Sequence, residues 1–292
     1  MIMTALYIGT CSFKYPSWEQ LVYSSRTPDD YLAEYARMYA SVEIDQWFWS
    51  LGKDSIGIPR PFDVHSYAAS VPPHFRFTIK CPNAITLTHH YSKSNQLEAN
   101  RSFLDTQVFE TFHRALEPIH PNIGMYIFQF EYLNRTKMPD RKQFLQQLAQ
   151  FFSRLPEGLV YGLEIRNPRW IDETWFESLS AMRVAPVLIQ GYWMDDIVTI
   201  LERNMDRIGP MVCIRLLGDD RSGIEEVTKG EWDRIVSPKD MELPAVAASV
   251  TRLLQGNRVV YVNVNNHYEG SAPRTISKLM KYLNLEKPYL IF

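Results

Sequence analysis

The chain has 292 residues, 46% hydrophobic and 22% charged, with no low-complexity tract. That length exceeds the roughly 150-residue prior for one ordinary domain and leaves either two domains or one α/β barrel, which runs to about 250 residues; the composition excludes a disordered chain. Thirty-one Lys and Arg against thirty-three Asp and Glu give a formal charge of -2, so no global basic field points to nucleic acid, while a local basic site stays open.

Residues Met1 to Gly9 have no basic stretch ahead of an apolar one, and no apolar run reaches the roughly 18 residues of a membrane span. The expectation is a cytoplasmic protein without a membrane partner. Cys11, Cys81 and Cys213 are odd in number and lack CxxC or zinc-finger spacing, which predicts free, buried thiols.

In chain order, short β-like runs alternate with longer helical faces. The expected strands are Leu6 to Gly9, Val42 to Asp45, Phe75 to Lys80, Gly124 to Gln129, Tyr161 to Arg166, Val187 to Gln190, Val212 to Leu216 and Val259 to Asn263. The first helix is read with Thr27 as N-cap and Pro28 at its first position, burying Leu32, Tyr35, Ala36 and Tyr39. Further stripes are Leu104/Val108/Phe112/Leu116, Phe144/Leu145/Leu148/Phe152, Trp175/Phe176/Leu179, Ile197/Ile200/Leu201 and Val246/Val250/Leu253/Leu254, the last capped at Gly256. Ile276, Leu279, Met280 and Leu283 form the final stripe.

Eight strands, mostly followed by helices and undivided by any linker, predict a single TIM (β/α)8-type barrel over 1–292. Pro59, Pro61, Pro72 and Pro73 make the second connection irregular. Long loops are expected from Cys81 to Arg101 and from Gly218 to Met241, after the third and seventh strands.

Polar residues end these strands. They are Glu43, Lys80, Gln129, Glu164 with Arg166, Gln190 and Arg215, with Asn263, Asn265, Asn266 and His267 at the eighth. In a parallel barrel they emerge on one face, the one that carries active sites. Two readings stay open: an internal salt-bridge network, or a pocket whose basic groups grip a phosphate or carboxylate while a carboxylate or a desolvated lysine moves protons. Under the second, Glu164, Lys80 and Glu43 are the candidate catalytic residues. Arg166, Arg215, Gln129, Gln190, Asn263, Asn265, Asn266 and His267 are then candidate substrate ligands, joined by Tyr15 and Trp18 near the mouth.

No HxH or HExxH spacing supports a metal, and no P-loop, GxGxxG or GxSxG implies an organic cofactor or a serine nucleophile. Three functions follow: a hydrolase- or lyase-type enzyme for a small anionic substrate, a phosphodiester-acting or nucleic-acid-binding barrel, or a non-catalytic binding protein.

The same residues carry a resemblance. Ile8-Gly9-Thr10-Cys11-Ser12-Phe13 with Tyr15 and Trp18, Val42-Glu43-Ile44-Asp45, Phe75-Arg76-Phe77-Thr78-Ile79-Lys80-Cys81-Pro82, Leu163-Glu164-Ile165-Arg166-Asn167-Pro168-Arg169-Trp170 and Val262-Asn263-Val264-Asn265-Asn266-His267 are similar to motifs of the YecE-like proteins, domain-of-unknown-function family seventy-two (DUF72). The resemblance spans nearly the whole chain and implies a TIM barrel, with no established activity. The chain departs from the family pattern at Asp45 and Gln46, at Asn167 where histidine is common, and at Leu217 where a histidine often follows the seventh-strand arginine. Mechanisms that rely on either histidine do not carry over.

Overall fold

A computed structural model describes residues 4–52, 55–91 and 98–291. Eight strands run parallel around a closed barrel: β1 Ala5–Cys11, β2 Ser41–Ile44, β3 Arg76–Lys80, β4 Ile123–Gln129, β5 Tyr161–Glu164, β6 Ala185–Gly191, β7 Met211–Gly218 and β8 Val259–Val264. The expected eight strands and barrel are therefore observed. A ninth, β9 Tyr289–Ile291, was not anticipated; it pairs antiparallel with Ala5–Tyr7 of β1. Three residues after a proline give no periodicity to read.

The barrel closes unevenly. All of β1 up to Thr10 pairs with β8, but only Thr10 and Cys11 pair with β2, and β9 takes the lower part of β1. At this seam a Cβ on Gly9 would lie 2.1 Å from the Ser41 carbonyl oxygen, so only glycine lets the strands approach. Just above, the buried Tyr35 hydroxyl accepts from Thr10 N (3.0 Å) and donates to Ser41 O (3.0 Å). A side chain from the first helix thus supplies a missing rung of the ladder.

Around the barrel lie α1 Tyr31–Met38, α2 Pro61–Ser70, α3 Thr106–Ala115, α4 Arg141–Phe152, α5 Glu173–Met182, α6 Ile197–Asn204, α7 Arg221–Thr228, α8 Leu243–Gln255 and α9 Ala272–Tyr282. Six begin at an aspartate whose carboxylate accepts backbone N–H groups of the first turn: Asp30, Asp105, Asp140, Asp172, Asp196 and Asp220. This corrects the first helix, which starts three residues beyond Thr27 because Asp30 satisfies Leu32 N and Ala33 N together. Leu104 precedes α3 in a left-handed conformation rather than belonging to it. Gly256 does cap α8, yet with φ -82°; the left-handed residue is Asn257.

Among its described residues the second connection is irregular to Arg60 and then forms α2 with Pro61 in its first turn, a position where the missing N–H costs nothing. The stretch expected as a loop from Gly218 contains α7, marked by Asp220. In the connection after β3, Asn83–Thr86 make one helical turn; positions 92–97 of that expected loop lie outside the described residues. The core fills the space between helices and sheet, with Phe77, Phe109, Phe112, Phe128, Phe144 and Leu279 wholly buried. Among the described residues no helix is long and apolar enough to cross a membrane.

Candidate functional site

The C-terminal ends of the strands bring four charged groups, Glu43, Lys80, Glu164 and Arg166, together around Arg215. Its Nε and Nη2 donate to the two oxygens of Glu43, each at 2.7 Å. Its Nη1 donates to Glu164 Oε2 and to Gln129 Oε1, the latter at 3.2 Å. Glu164 Oε1 accepts from Arg166 Nε at 2.8 Å, so side chains two apart at the end of β5 do face the same way. Both glutamates are fully buried and Arg215 is 4% exposed.

Beneath this layer Asn263 donates to Glu43 Oε2 and Thr78 Oγ1, each at 3.0 Å. Its Oδ1, also buried, has no hydrogen-bond donor among the described residues.

Charge follows contact. Burial opposes ionisation of Glu164, but Arg215, Arg166 and Lys80 outweigh it and hold its carboxyl below the ordinary range. Burial also works against charge on Arg215, and Glu164 and Glu43 more than compensate, so the guanidinium is ionised at every accessible pH. Lys80 is the exception. It is 7% exposed, and among the described residues its ammonium makes no ion pair; it stands 4.0 Å over the Phe48 ring. Burial, with Arg215 adding repulsion, pulls Lys80 below the usual lysine range despite Glu43, Glu164 and Asp45. Burial and the nearby Glu43 raise Asp45, against Lys80 and Arg215, which lower it.

The structure unites Glu43, Lys80, Gln129, Glu164, Arg166, Arg215 and Asn263. Other expected ligands are used elsewhere. Gln190 accepts from Ile197 N at the start of α6 (2.9 Å), and Asn266 accepts from Ala272 N (2.9 Å) while buried. Asn265 accepts from His267 N, and the ring of His267 bridges to Glu225 at 2.9 Å, fastening α7. Trp18 is wholly buried against Tyr15 and Tyr23, so it offers a ligand no face. Tyr15 is partly buried, with its hydroxyl on Cys11 O. The three cysteines are free and buried, and burial pushes each thiol up. No three His, Cys, Asp or Glu side chains among the described residues converge as a metal site.

Beside the mouth, the connections after β4, β5 and β6 enclose a cleft of about 800 Å3 lined by Tyr132, Arg135, Arg141, Arg169, Trp170 and Trp193, among others. The sequence reading assigned none of these a role; the available signal was an aromatic and an arginine soon after the fourth and fifth strands and a Tyr192-Trp193 pair after the sixth. Asn167 builds the floor by donating to Leu133 O (2.9 Å) and accepting from Leu133 N (2.8 Å). Trp193 Nε1 lies 3.4 Å from the Arg166 carbonyl oxygen, joining cleft to mouth.

A closed parallel barrel with a charged layer at the carboxyl ends of its strands defines the TIM-barrel class. Residues 7–290 match the sequence profile of DUF72, "Protein of unknown function DUF72", and the chain belongs to that family. No curated protein matches it. Among solved structures, a DUF72 family protein from Enterococcus faecalis V583 is similar at 19% identity and TM-score 0.69, covering 98% of each chain. A DUF72 family protein from Thermotoga maritima MSB8 is similar at 20% identity and TM-score 0.66, covering 96% of this chain and 99% of its own. At such identities the likeness concerns the fold.

Proposed function

We propose that this chain is an enzyme of hydrolase or lyase type acting on a small phosphate- or carboxylate-bearing substrate at the C-terminal face of the barrel. Lys80 carries the reading. A buried lysine that makes no ion pair among the described residues and faces the Arg215 guanidinium gives up its proton more readily than an exposed one, which suits it to shuttle a proton. Arg166 is the anion contact: its Nε is tied to Glu164, while its terminal amino groups make no hydrogen bond among the described residues. Such a guanidinium is oriented in advance for a planar or tetrahedral anion. Both oxygens of Glu164 are taken by arginines, so the acid-base role expected of it passes to Lys80. Glu43, Glu164 and Arg215 become positioning residues.

The test is calorimetric titration with inorganic phosphate, followed by a turnover screen over phosphomonoesters and hydroxy or keto acids. Phosphate binds the wild type and weakens at least tenfold in Arg166→Met. Turnover is abolished in Lys80→Met while phosphate binding persists. Full turnover in Lys80→Met, or no saturable anion binding by the wild type, overturns the reading.

A further inference from the structure

From the cleft beside the mouth we infer a binding site for a nucleotide unit, its ring stacked on Trp193 or Tyr132 and its phosphate held by Arg135 and Arg169. Three features carry this inference. The first is charge. Of the residues lining the cleft three are arginines and none is acidic. Arg141 is spent, since its Nη1 and Nη2 bind Asp172 and Nη2 also reaches Trp170 O. Arg135 and Arg169 are exposed and make no ion pair among the described residues. Free guanidinium forks, with no carboxylate on the walls to neutralise them, select phosphate.

The second feature is the aromatic surface. Trp193 is 59% exposed and Tyr132 52%, among the largest exposed apolar side chains, and both border the cleft. Large rings left in water at the rim of a cationic cleft are stacking platforms. An anion alone needs no ring, and an uncharged ring needs no arginines; a base joined to a phosphate uses both. The volume falls within the roughly 300–1,000 Å3 of small-molecule sites.

The third is rigidity. The paired Asn167–Leu133 hydrogen bonds fix the connection after β4 to that after β5, and Trp170 packs on Phe144 of α4 with ring centroids 5.6 Å apart. The walls are therefore formed before a ligand arrives, which lowers the cost of binding.

This goes beyond the proton transfer assigned to Lys80, because occupancy of the cleft is read without turnover. AMP, adenosine, ribose 5-phosphate and a hexathymidylate are titrated by calorimetry and tryptophan fluorescence into the full chain, into Trp193→Leu and into Arg135→Gln/Arg169→Gln. AMP binds and quenches the wild type. Its affinity falls at least tenfold in the arginine double variant, and both affinity and quenching fall in Trp193→Leu. These substitutions lie on the surface, and circular dichroism verifies the fold of each variant. Ribose 5-phosphate binding as tightly as AMP overturns the inference, because the ring is then unread. Adenosine binding as tightly removes the role of the arginines and overturns it as well, as does the absence of AMP and hexathymidylate binding. Given specific binding, a hexathymidylate tighter than AMP and steeply salt-dependent makes a single strand the source of the unit; equal affinities make it the free nucleotide. Lys80→Met leaves AMP binding in the cleft intact, so failure of the reaction at Lys80 and failure of this site are separately visible.

Discussion

Replacing Arg215 with methionine removes the group around which the barrel's charged layer is built. Four hydrogen bonds disappear, two to Glu43, one to Glu164 and one to Gln129. The consequences for the two carboxylates differ. Glu164 keeps Arg166 at 2.8 Å; Glu43 keeps only the neutral amide of Asn263 at 3.0 Å and becomes a buried, unpaired charge. Stranding one such partner costs about 3–5 kcal/mol. At roughly 2–4 °C per kcal/mol for a domain of this size, the melting temperature falls by about 6–20 °C. Protonating the stranded carboxylate removes the unpaired charge, so the loss is smaller in acid than at neutral pH. Glu43→Gln added to Arg215→Met removes the stranded charge and recovers part of the deficit. Calorimetric melting of both variants at pH 5 and pH 8 provides the assay. A change below about 2 °C for Arg215→Met at pH 8, or a double variant less stable than the single one, refutes the account of this layer as a mutually dependent network.

Other expectations rest on separate features. Tyr35→Phe leaves Thr10 N and Ser41 O without their shared partner and costs about 2–4 kcal/mol, read by urea denaturation. Glu164, held below the ordinary carboxylate range, stabilises the fold above its unfolded value of about 4.3. That contribution is lost as pH falls through its lower folded value, so wild type loses stability in acid that Glu164→Gln does not; acid unfolding followed by circular dichroism makes the comparison. Asn167→Ala unfastens Leu133 N and O, and hydrogen exchange over residues 130–138 quickens while the rest of the barrel is unchanged. Asp30→Ala removes the cap of α1 and costs about 1 kcal/mol in the same urea assay.

The barrel was legible because each strand carries its own apolar run, and Glu43, Lys80, Glu164 and Arg215 stood out as charges on apolar strands. Which charge meets which was not legible. Arg215 and Glu43 are 172 positions apart, and only closure of the barrel fixes their separation. Local signals were also misread where two competed: Thr27-Pro28 looked like a helix start, but Asp30 satisfies two amides where a threonine hydroxyl at that point meets none in the helix. The segment after β7 reads as a long loop from Gly218 to Met241, yet Asp220 starts α7 and His267 fastens it through Glu225. The cleft was missed for a different reason. Its arginines and rings come from three separate connections, and each looks like ordinary solvated surface until the strands place them side by side.

The uneven seam at β1 also bears on how the barrel is assembled. A chain that emerges from its amino end presents β1 first, yet Leu6 must wait for Val260 on one side and Leu290 on the other. Until then the strand has only the two rungs to β2 and the Tyr35 bridge. The loop-closure entropy of nearly the entire chain is concentrated in that single strand. Completion of the barrel is thus set by the arrival of β8 and β9, and an unpaired β1, every residue of which is buried in the finished fold, is the edge that a half-made chain has to shield from its neighbours.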